Sequence, residues 1–313
     1  MDVLSDVLAV MRSGEPRSAR VVWNAPWGQW FAPVPGAAGF QVVLQGTCWL
    51  IRADAEPLPL TAGDVVFLPH GQGHALADSP ATPVDTQACD PDDPEFAERY
   101  ADRPSTGTGP KTVTLCGAYR LDPAQVHPLL SSLPEVVHLP ARLDRDLRAV
   151  VELLCAELER PRLGTDALIP ALLDALLLYL LRAWFDERST TAETGWSSSN
   201  WGAALRDPAI TAALHAIHSD PAHPWTVAGL AARAGLSRAP FARRFTEKIG
   251  RPPLTYLTWW RLTLAARMLR DTDAPLRVIA GKSGYTSEFA FAKAFRRHHG
   301  TAPGKLRRAG SER

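Results

Sequence analysis

The sequence of 313 residues is poor in cysteine and has no closely spaced cysteine pairs. The wide intervals between its four cysteines exclude a zinc ribbon or finger, which needs C-x-x-C spacing. The first 62 residues contain no histidine at all, so imidazole metal ligands are missing from that stretch. We therefore expect reduced thiols, no bound metal and no cofactor.

A secretion signal and an uninterrupted membrane span are also lacking. The first residues carry no basic segment of the kind that opens a signal peptide. The most apolar run, residues 171–185, is interrupted by Asp174 and Arg182 and preceded by Pro170. These features predict a cytoplasmic protein that does not act with a membrane.

Net charge is nearly absent, at +1, but it is unevenly distributed along the chain. From residue 222 to the end, basic residues outnumber acidic residues by 18 to 5. In residues 1–221 the acidic residues outnumber the basic ones by 28 to 16. The C-terminal end is thus suited to a polyanion such as nucleic acid.

The basic end, residues 223–308, contains two copies of one small helical unit. In each copy a short helix is predicted to end at a glycine, Gly235 or Gly284, because glycine adopts the left-handed conformation at little cost. A serine is then predicted to cap a second helix, and two phenylalanines one turn apart are buried by it. The matching residues, 50 positions apart, are Ser237 and Ser287, Phe241 and Phe291, and Phe245 and Phe295. This pattern is typical of two helix-turn-helix units.

With these motifs, residues 208–308 resemble the DNA-binding domain of the AraC/XylS family of transcription regulators. The residues that carry the resemblance include Leu230, Ala231, Gly235, Phe241, Phe245, Ile279, Ala280, Gly284, Phe291, Phe295 and Pro303. Leu306 departs from the family pattern, which usually has tyrosine there. The resemblance implies a homodimer that binds double-stranded promoter DNA and acts with RNA polymerase.

The N-terminal half of each second helix is expected to meet base edges in a major groove. Arg243 is the best candidate for a bidentate guanine contact, and Glu288 either accepts from a cytosine amine or caps its helix. Arg244 and Arg296 are expected to meet phosphates or solvent. The full set of candidate DNA contacts is Arg238, Ala239, Ala242, Arg243, Arg244, Glu288, Phe289, Ala292, Lys293 and Arg296.

Residues 21–121 alternate short apolar runs with turns that are rich in glycine and proline, which predicts a small antiparallel β barrel or sandwich. Residues 63–78 resemble the second cupin motif, with Asp78 in place of the usual asparagine. His74 would then face the barrel interior, either as a structural or ligand-contacting side chain or as a metal ligand. With only His70 nearby and no first cupin motif, the metal role is disfavoured.

Residues around Cys48, His74 and Cys116 resemble the cupin-bearing subgroup of the family that includes a reactive-chlorine-sensing regulator. This resemblance implies that oxidation of a cysteine controls DNA binding. Cys48 and Cys116 lie in predicted strands, where the alternative is that they are small buried apolar residues. Cys89 lies in a predicted exposed loop, residues 85–110, without a basic neighbour.

Three helical segments flank these regions: residues 2–12, 144–159 and 170–186. The last is apolar on nearly all sides, so it must be covered on all sides. The helices over residues 144–159 and 170–186 either form a dimer interface together or are buried within one subunit. We predict an α+β chain, with a cupin-like β barrel flanked by helices and an all-α C-terminal domain. The predicted divisions are a sensor and dimerisation domain (1–186), a linker (187–206) and a DNA-binding domain (207–313).

The function predicted from the sequence is a DNA-binding transcriptional regulator, not an enzyme, whose N-terminal domain senses a small molecule or an oxidant. One alternative is a cupin enzyme fused to a DNA-binding domain, which the missing first metal motif disfavours. A second is a DNA-repair methyl acceptor, whose zinc-bound cysteine the cysteine spacing does not suit.

Overall fold

The computed structural model describes residues 2–11, 16–89, 107–121, 126–140, 145–190 and 201–311. Their contacts divide the chain into two compact units. The β unit comprises the described parts of Arg12–Val126 and Leu133–Thr191. The helical unit comprises those of Met1–Met11, His127–Ser132 and Ala192–Arg313.

The β unit is built on two five-stranded sheets. The strands are β1 (Arg17–Asn24), β2 (Gly28–Phe31), β3 (Ala37–Gln45), β4 (Thr47–Arg52), β5 (Ala55–Thr61), β6 (Val65–Leu68), β7 (His74–Ala77), β8 (Asp85–Cys89), β9 (Lys111–Arg120) and β10 (Val137–Leu139). One sheet has the order β1-β9-β3-β6-β10 and the other β5-β4-β7-β2-β8. Among the described residues, neighbouring strands pair antiparallel in both sheets except β2 with β8, which are parallel.

The core of the β unit lies between the two sheets. It takes Val21 and Cys116 from one sheet and Leu50, Leu60 and Leu76 from the other, all of them buried. Strict alternation along β1, from Ala19 to Trp23, places every second side chain in this core. The predicted barrel or sandwich is therefore confirmed.

β5 and β8 form where the local sequence disfavours a strand. β5 contains two prolines, yet it is a strand because it lies at a sheet edge, where a missing N–H costs no ladder hydrogen bond. The predicted loop 85–110 was wrong at its start, since Asp85–Cys89 forms β8 and pairs with β2. Residues 90–106 of that loop lie outside the described part of the chain.

Two helices complete the β unit: α3 (Arg145–Glu159) and α4 (Thr165–Thr190). The predicted start of the second helix at Pro170 was wrong, because α4 begins five residues earlier and holds that proline inside its first turns. Residues 165–187 of α4 are long and apolar enough to cross a bilayer, with a mean hydropathy of 1.7. A core helix of a soluble protein passes the same test, so this is weak evidence for a membrane span.

The helical unit contains α1 (Val3–Met11), α2 (Pro128–Ser131), α5 (Trp201–Leu205), α6 (Pro208–Ser219), α7 (Val227–Arg233), α8 (Arg238–Ile249), α9 (Pro253–Asp271), α10 (Leu276–Lys282), α11 (Glu288–His299) and α12 (Pro303–Ser311). The helix predicted over residues 2–12 is confirmed as α1. It packs on α6 and α9, so it belongs with the helical unit rather than with the strands that follow it.

The ends of the predicted linker differ from expectation. α4 extends to Thr190 and α5 begins at Trp201, so both ends of 187–206 are helical. Trp201 is 1% exposed, which explains why this end is ordered: a buried indole anchors it to the helical unit. Residues 191–200 lie outside the described part of the chain.

Candidate nucleic-acid interface and candidate sensing site

The two helix-turn-helix units, α7–α8 and α10–α11, repeat one scaffold closely. The turn glycines Gly235 and Gly284 have φ of 65° and 74°, the left-handed conformation that the sequence predicts. In each unit the phenylalanine pair is fully buried, and its ring centroids lie 5.6 Å apart. Burial of this face directs the opposite face of α8 and α11 to the surface.

Serine capping follows the prediction in one unit only. Ser287 Oγ accepts from the Ala290 N–H at 3.4 Å, whereas Ser237 makes no side-chain cap hydrogen bond. Ser237 is the N-cap residue of α8, as predicted, but the side-chain hydrogen bond predicted for it was wrong. In that unit the side-chain cap lies one helix earlier, where Thr226 Oγ1 accepts from the Gly229 N–H at 3.0 Å and begins α7.

At the start of α8, the candidate base-reading residues form an exposed surface. Arg238, Ala239 and Arg243 are exposed, and Ala242 is half-buried behind them. The Arg243 guanidinium lies 3.8 Å from Glu247 on the same helix, at 76% side-chain exposure. Because exposed pairs of this kind contribute little, the guanidinium is free to exchange that partner for a base edge.

The start of α11 presents a different surface on the same backbone. Glu288 and Lys293 are exposed, and Ala292 is half-buried. Phe289 is 80% exposed, an unusual position for a large apolar side chain. Arg296 is also exposed, one turn after Lys293. An exposed phenylalanine at this point can contact a thymine methyl group.

Arg244, expected to meet phosphates or solvent, is 46% exposed at its side chain and also makes an ion pair within the helical unit. Its Nε donates to Asp207 Oδ2 at 2.6 Å, and Lys248 Nζ lies 3.4 Å from the same oxygen. Asp207 also caps α6 by accepting from the Ala209 N–H at 3.1 Å. Burial raises the pKa of Asp207, but the bonds and charges of Arg244 and Lys248 outweigh it and lower the pKa. Arg244 thus ties α8 to α6.

In the β unit, His74 begins β7 and is buried, as the cupin-like motif predicts. Its Nε2 lies 3.0 Å from Gln41 Nε2, and its Nδ1 lies 3.4 Å from the Gln72 carbonyl oxygen. The ring stacks on Phe31 with centroids 4.8 Å apart. Burial lowers the pKa of His74 to about 4, against the opposing effect of Gln72, so the ring is neutral at pH 7.

A cavity of about 50 Å³ lies beside His74. Gln41, Gln72 and Cys116 line it, together with apolar residues of β2, β3 and β9. Gln41 Oε1 and Gln72 Oε1 are buried and find no hydrogen-bond partner among the residues that the structure describes. His70 does not line the cavity, since its Nε2 bonds to the Leu133 carbonyl oxygen at 3.0 Å.

Cys48 and Cys116 both lie in the core between the sheets, as free thiols. Burial raises the pKa of each to about 12, with a further contribution from Asp64 at Cys48. The thiolate is the reactive form, so both thiols are poorly reactive in this state. Cys155 is half-buried on α3, and the side chain of Cys89 lies outside the described part of the structure.

Among the described residues, no group of three or more histidine, cysteine or acidic side chains could hold a metal ion. His74 has two hydrogen-bond partners instead of a second ligand. A different pair of histidines, His127 and His218, is buried in the helical unit, and both rings bond to Tyr256. No sequence pattern marks them, because their partners are distant in the chain.

A two-sheet domain with a cavity beside His74, followed by two helix-turn-helix units with exposed basic residues on their recognition helices, defines a DNA-binding transcription regulator. A cupin family model matches residues 2–186, and a helix-turn-helix domain model matches residues 230–309. The chain is 36% identical to a putative AraC-like transcription regulator of Streptomyces antibioticus, over 98% of this chain and 99% of that protein.

Two further relatives match along their whole length. A putative AraC-like transcription regulator of Streptomyces lividans is 34% identical over 98% of each chain. The RCS-specific HTH-type transcriptional activator RclR of Escherichia coli K12 is 29% identical over 98% of this chain and 97% of that one. The chain belongs to the AraC-like family of transcription regulators, and it carries a cupin domain at its N-terminus.

Proposed function

We propose that promoter binding by this regulator is controlled by what occupies the cavity beside His74. The observation that carries the proposal is the pair of buried, unpartnered acceptors, Gln41 Oε1 and Gln72 Oε1, at the same cavity. An unsatisfied buried acceptor costs about 1–3 kcal/mol, so a ligand that donates to both is favoured. A volume of about 50 Å³ admits only a small donor group.

A second candidate signal is an oxidant, because Cys116 lines the same cavity. Its Sγ donates weakly to the Ala19 carbonyl oxygen at 3.6 Å. Burial raises the pKa of Cys116 and holds the thiol in its protonated form. A reactive-chlorine-responsive relative lends support to this candidate. The raised pKa of Cys116 opposes it unless the β unit first rearranges.

One experiment separates the two signals. Binding to the DNA upstream of the protein's own gene is measured for wild type, Gln41→Leu and Cys116→Ala, with acetamide as a donor probe and hydrogen peroxide as an oxidant. Cys155→Ala is the matched control, since that thiol lies on α3 away from the cavity. Ligand control predicts that only Gln41→Leu abolishes a response to acetamide.

Loss of a peroxide response in Cys116→Ala alone would instead assign the oxidant. If neither probe changes DNA affinity in wild type, control through this cavity by either class of signal is contradicted. Control of DNA binding by Cys48 is tested with Cys48→Ala, which removes the other buried thiol and leaves the residues that line the cavity unchanged.

On DNA, we propose that α8 and α11 enter adjacent major grooves. α9, of 19 residues, joins the two units as one continuous helix, about 28 Å long at 1.5 Å per residue. Grooves on one face of B-DNA recur every 34 Å or so, which suits a rigid spacer of this length. We further propose that the promoter-bound regulator acts with RNA polymerase as its partner.

We also propose a cytoplasmic homodimer formed through α4. One face of α4 is buried in the β unit, through Leu173, Leu176, Leu177, Leu180 and Leu181. Its opposite face keeps an apolar stripe at spacing 4-3-4 that is only partly covered: Leu168, Leu172, Ala175 and Tyr179. Leu153 on α3 and Leu163 add exposed apolar area. Analytical ultracentrifugation of Leu168→Lys tests this dimer interface. The variant should sediment as a monomer, and an unchanged dimer mass would contradict the interface.

A further inference from the structure

A chain of hydrogen bonds crosses the interior of the helical unit and joins four of its elements. Asp6 lies on α1, His127 caps α2, His218 lies on α6 and Tyr256 lies on α9. Tyr256 Oη lies 3.1 Å from His127 Nε2 and 2.8 Å from His218 Nε2. His218 Nδ1 lies 3.3 Å from Asp6 Oδ2.

The positions of the protons in this chain can be derived by starting at His127. The Leu129 backbone N–H donates to His127 Nδ1 at 3.0 Å. A backbone N–H can only donate, so His127 Nδ1 carries no proton. A neutral His127 therefore carries its proton on Nε2, and this N–H donates to Tyr256 Oη.

The positions of the protons on Tyr256 and His218 follow from that of His127. Because Tyr256 Oη accepts from His127, its own hydroxyl proton is directed at His218 Nε2, which accepts. His218 must then carry its proton on Nδ1 and donate it to the Asp6 carboxylate, which can only accept. All five groups are satisfied in this one arrangement, and the reverse arrangement would aim two N–H groups at each other beside Leu129.

Aromatic rings enclose the chain and keep both histidines neutral. His218 stacks on Trp260 at 4.0 Å, while Trp201 and Trp259 meet the His127 ring edge-on at 4.9 and 5.0 Å. Burial lowers the pKa of His218, against Asp6, which raises it, while His215 adds to the lowering. Burial, His218 and Arg251 lower the pKa of His127 well below its usual value.

The position of α1 and α2 in the sequence gives the chain of bonds its significance. Strands β1 to β9 of the β unit lie between these two helices in the sequence. Five residues separate α1 from β1, and six residues separate β9 from His127. The two segments that flank the candidate sensing strands in the sequence therefore both belong to the helical unit.

We propose that Asp6, His218, Tyr256 and His127 form an ordered latch that fastens both flanks of the sensing strands to α6 and α9 of the helical unit. Tyr256 also meets Phe245 of α8 edge-on, at 6.0 Å between centroids, so the latch borders the core beneath that recognition helix. The latch deepens the proposed function, on which its regulatory role rests: a signal in the β unit reaches α8 by loosening it.

The direct test of the latch uses the full-length protein with ¹⁵N-labelled histidine and needs no effector. Nitrogen chemical shifts at pH 7.5 report which ring nitrogen carries the proton. The expected result is a proton on Nε2 of His127 and on Nδ1 of His218, with the signals assigned by His127→Gln and His218→Gln. The opposite tautomer at either ring would overturn the ordered chain.

Transmission through the latch is tested by hydrogen exchange at the Leu129 amide, which Asp6 does not touch. Asp6→Ala should raise its exchange rate about tenfold, because hydrogen bonds in a buried chain support one another. Asp6→Asn should restore protection, since its amide oxygen still accepts from His218. An unchanged rate in Asp6→Ala would show that the two ends act independently.

The regulatory role is tested by DNA affinity of Tyr256→Phe, with Tyr285→Phe as the matched control. Both variants remove one hydroxyl from the helical unit, but only Tyr256 belongs to the latch. The expected result is a change of at least about fivefold in DNA affinity for Tyr256→Phe alone, within the usual range of coupling between sites. Equal affinities, with tautomers as expected, would leave a structural latch and contradict its role in regulation.

Discussion

The two helix-turn-helix units share a backbone and a phenylalanine pair but differ in what supports the recognition helix. In the first, Arg244 and Lys248 of α8 are tied to the buried Asp207 of α6. In the second, the neighbouring surface of α11 keeps Arg296 and Arg297 exposed. The repeated residues give both units the same scaffold. The residues between them differ, so the two recognition helices make different contacts.

Recognition surfaces differ in the same way. The first unit offers Arg238 and Arg243, which suit guanine, whereas the second offers Glu288 and the exposed Phe289. A protein with two unlike units reads an asymmetric site, since each half-site must match its own helix. The comparison therefore predicts which changes act on both units and which act on one.

Removing a core phenylalanine has the largest expected effect, and it should be similar in the two units. Phe245→Ala and Phe295→Ala each leave a cavity beneath a recognition helix and should cost about 3–5 kcal/mol of unfolding free energy. Urea denaturation followed by tryptophan fluorescence and by circular dichroism measures both. A loss below about 1 kcal/mol in either variant would contradict the burial of that ring.

Loss of Asp207 should destabilise the first unit and spare the second. Asp207→Ala leaves Arg244 and Lys248 without their partner and removes the cap of α6, at an expected cost of about 2–3 kcal/mol. Site-resolved hydrogen exchange should show faster exchange in α6 and α8 than in α11. Asp271→Ala is the control, because its pair with Arg267 is exposed.

The same pair has a pH dependence whose sign is set by the lowered pKa of Asp207. A carboxylate with a lowered folded-state pKa stabilises the fold above its unfolded value near 3.9. That stabilisation is lost as the pH falls through the lower folded-state pKa. Between pH 5 and pH 3, wild type should therefore lose more stability than Asp207→Asn, and equal losses would count against the ion pairs.

A smaller effect is expected where a single base is read. Arg243→Ala should weaken binding to the cognate site by about 1–3 kcal/mol and relax specificity at one position only. Lys293→Ala should weaken binding more evenly across sequences, because a lysine acts on DNA largely as a point charge. Selection of bound DNA sequences from a random pool compares the two variants. If Arg243→Ala keeps the base preferences of wild type, Arg243 does not read a base.

The repeat made most of the helical unit predictable from the sequence. Gly235, Gly284 and the phenylalanine pairs are local signals, so helices, turns and buried faces followed from spacing alone. The sequence also located β6 and His74, because turn glycines and an apolar strand lie in one short motif. Such predictions succeed where the determining residues are neighbours in the chain.

What the sequence could not show depends on distant partners. The latch brings Asp6, His127 and Tyr256 together across 250 positions, and no local pattern encodes that meeting. The ion pair of Arg244 could not be predicted for the same reason, since its partner Asp207 lies 37 residues away. β5 was missed because its prolines are tolerated only at a sheet edge, a property of the whole sheet.

The central claim is that two unlike recognition helices bind one promoter through adjacent major grooves. Hydroxyl-radical and methylation-interference footprints of the upstream DNA test it most directly, in wild type, Arg243→Ala and Lys293→Ala. We expect two protected patches of DNA about one helical turn apart. Arg243→Ala should weaken only the patch bound by α8, and Lys293→Ala only the patch bound by α11. A single patch, or two patches that weaken together in either variant, would contradict it.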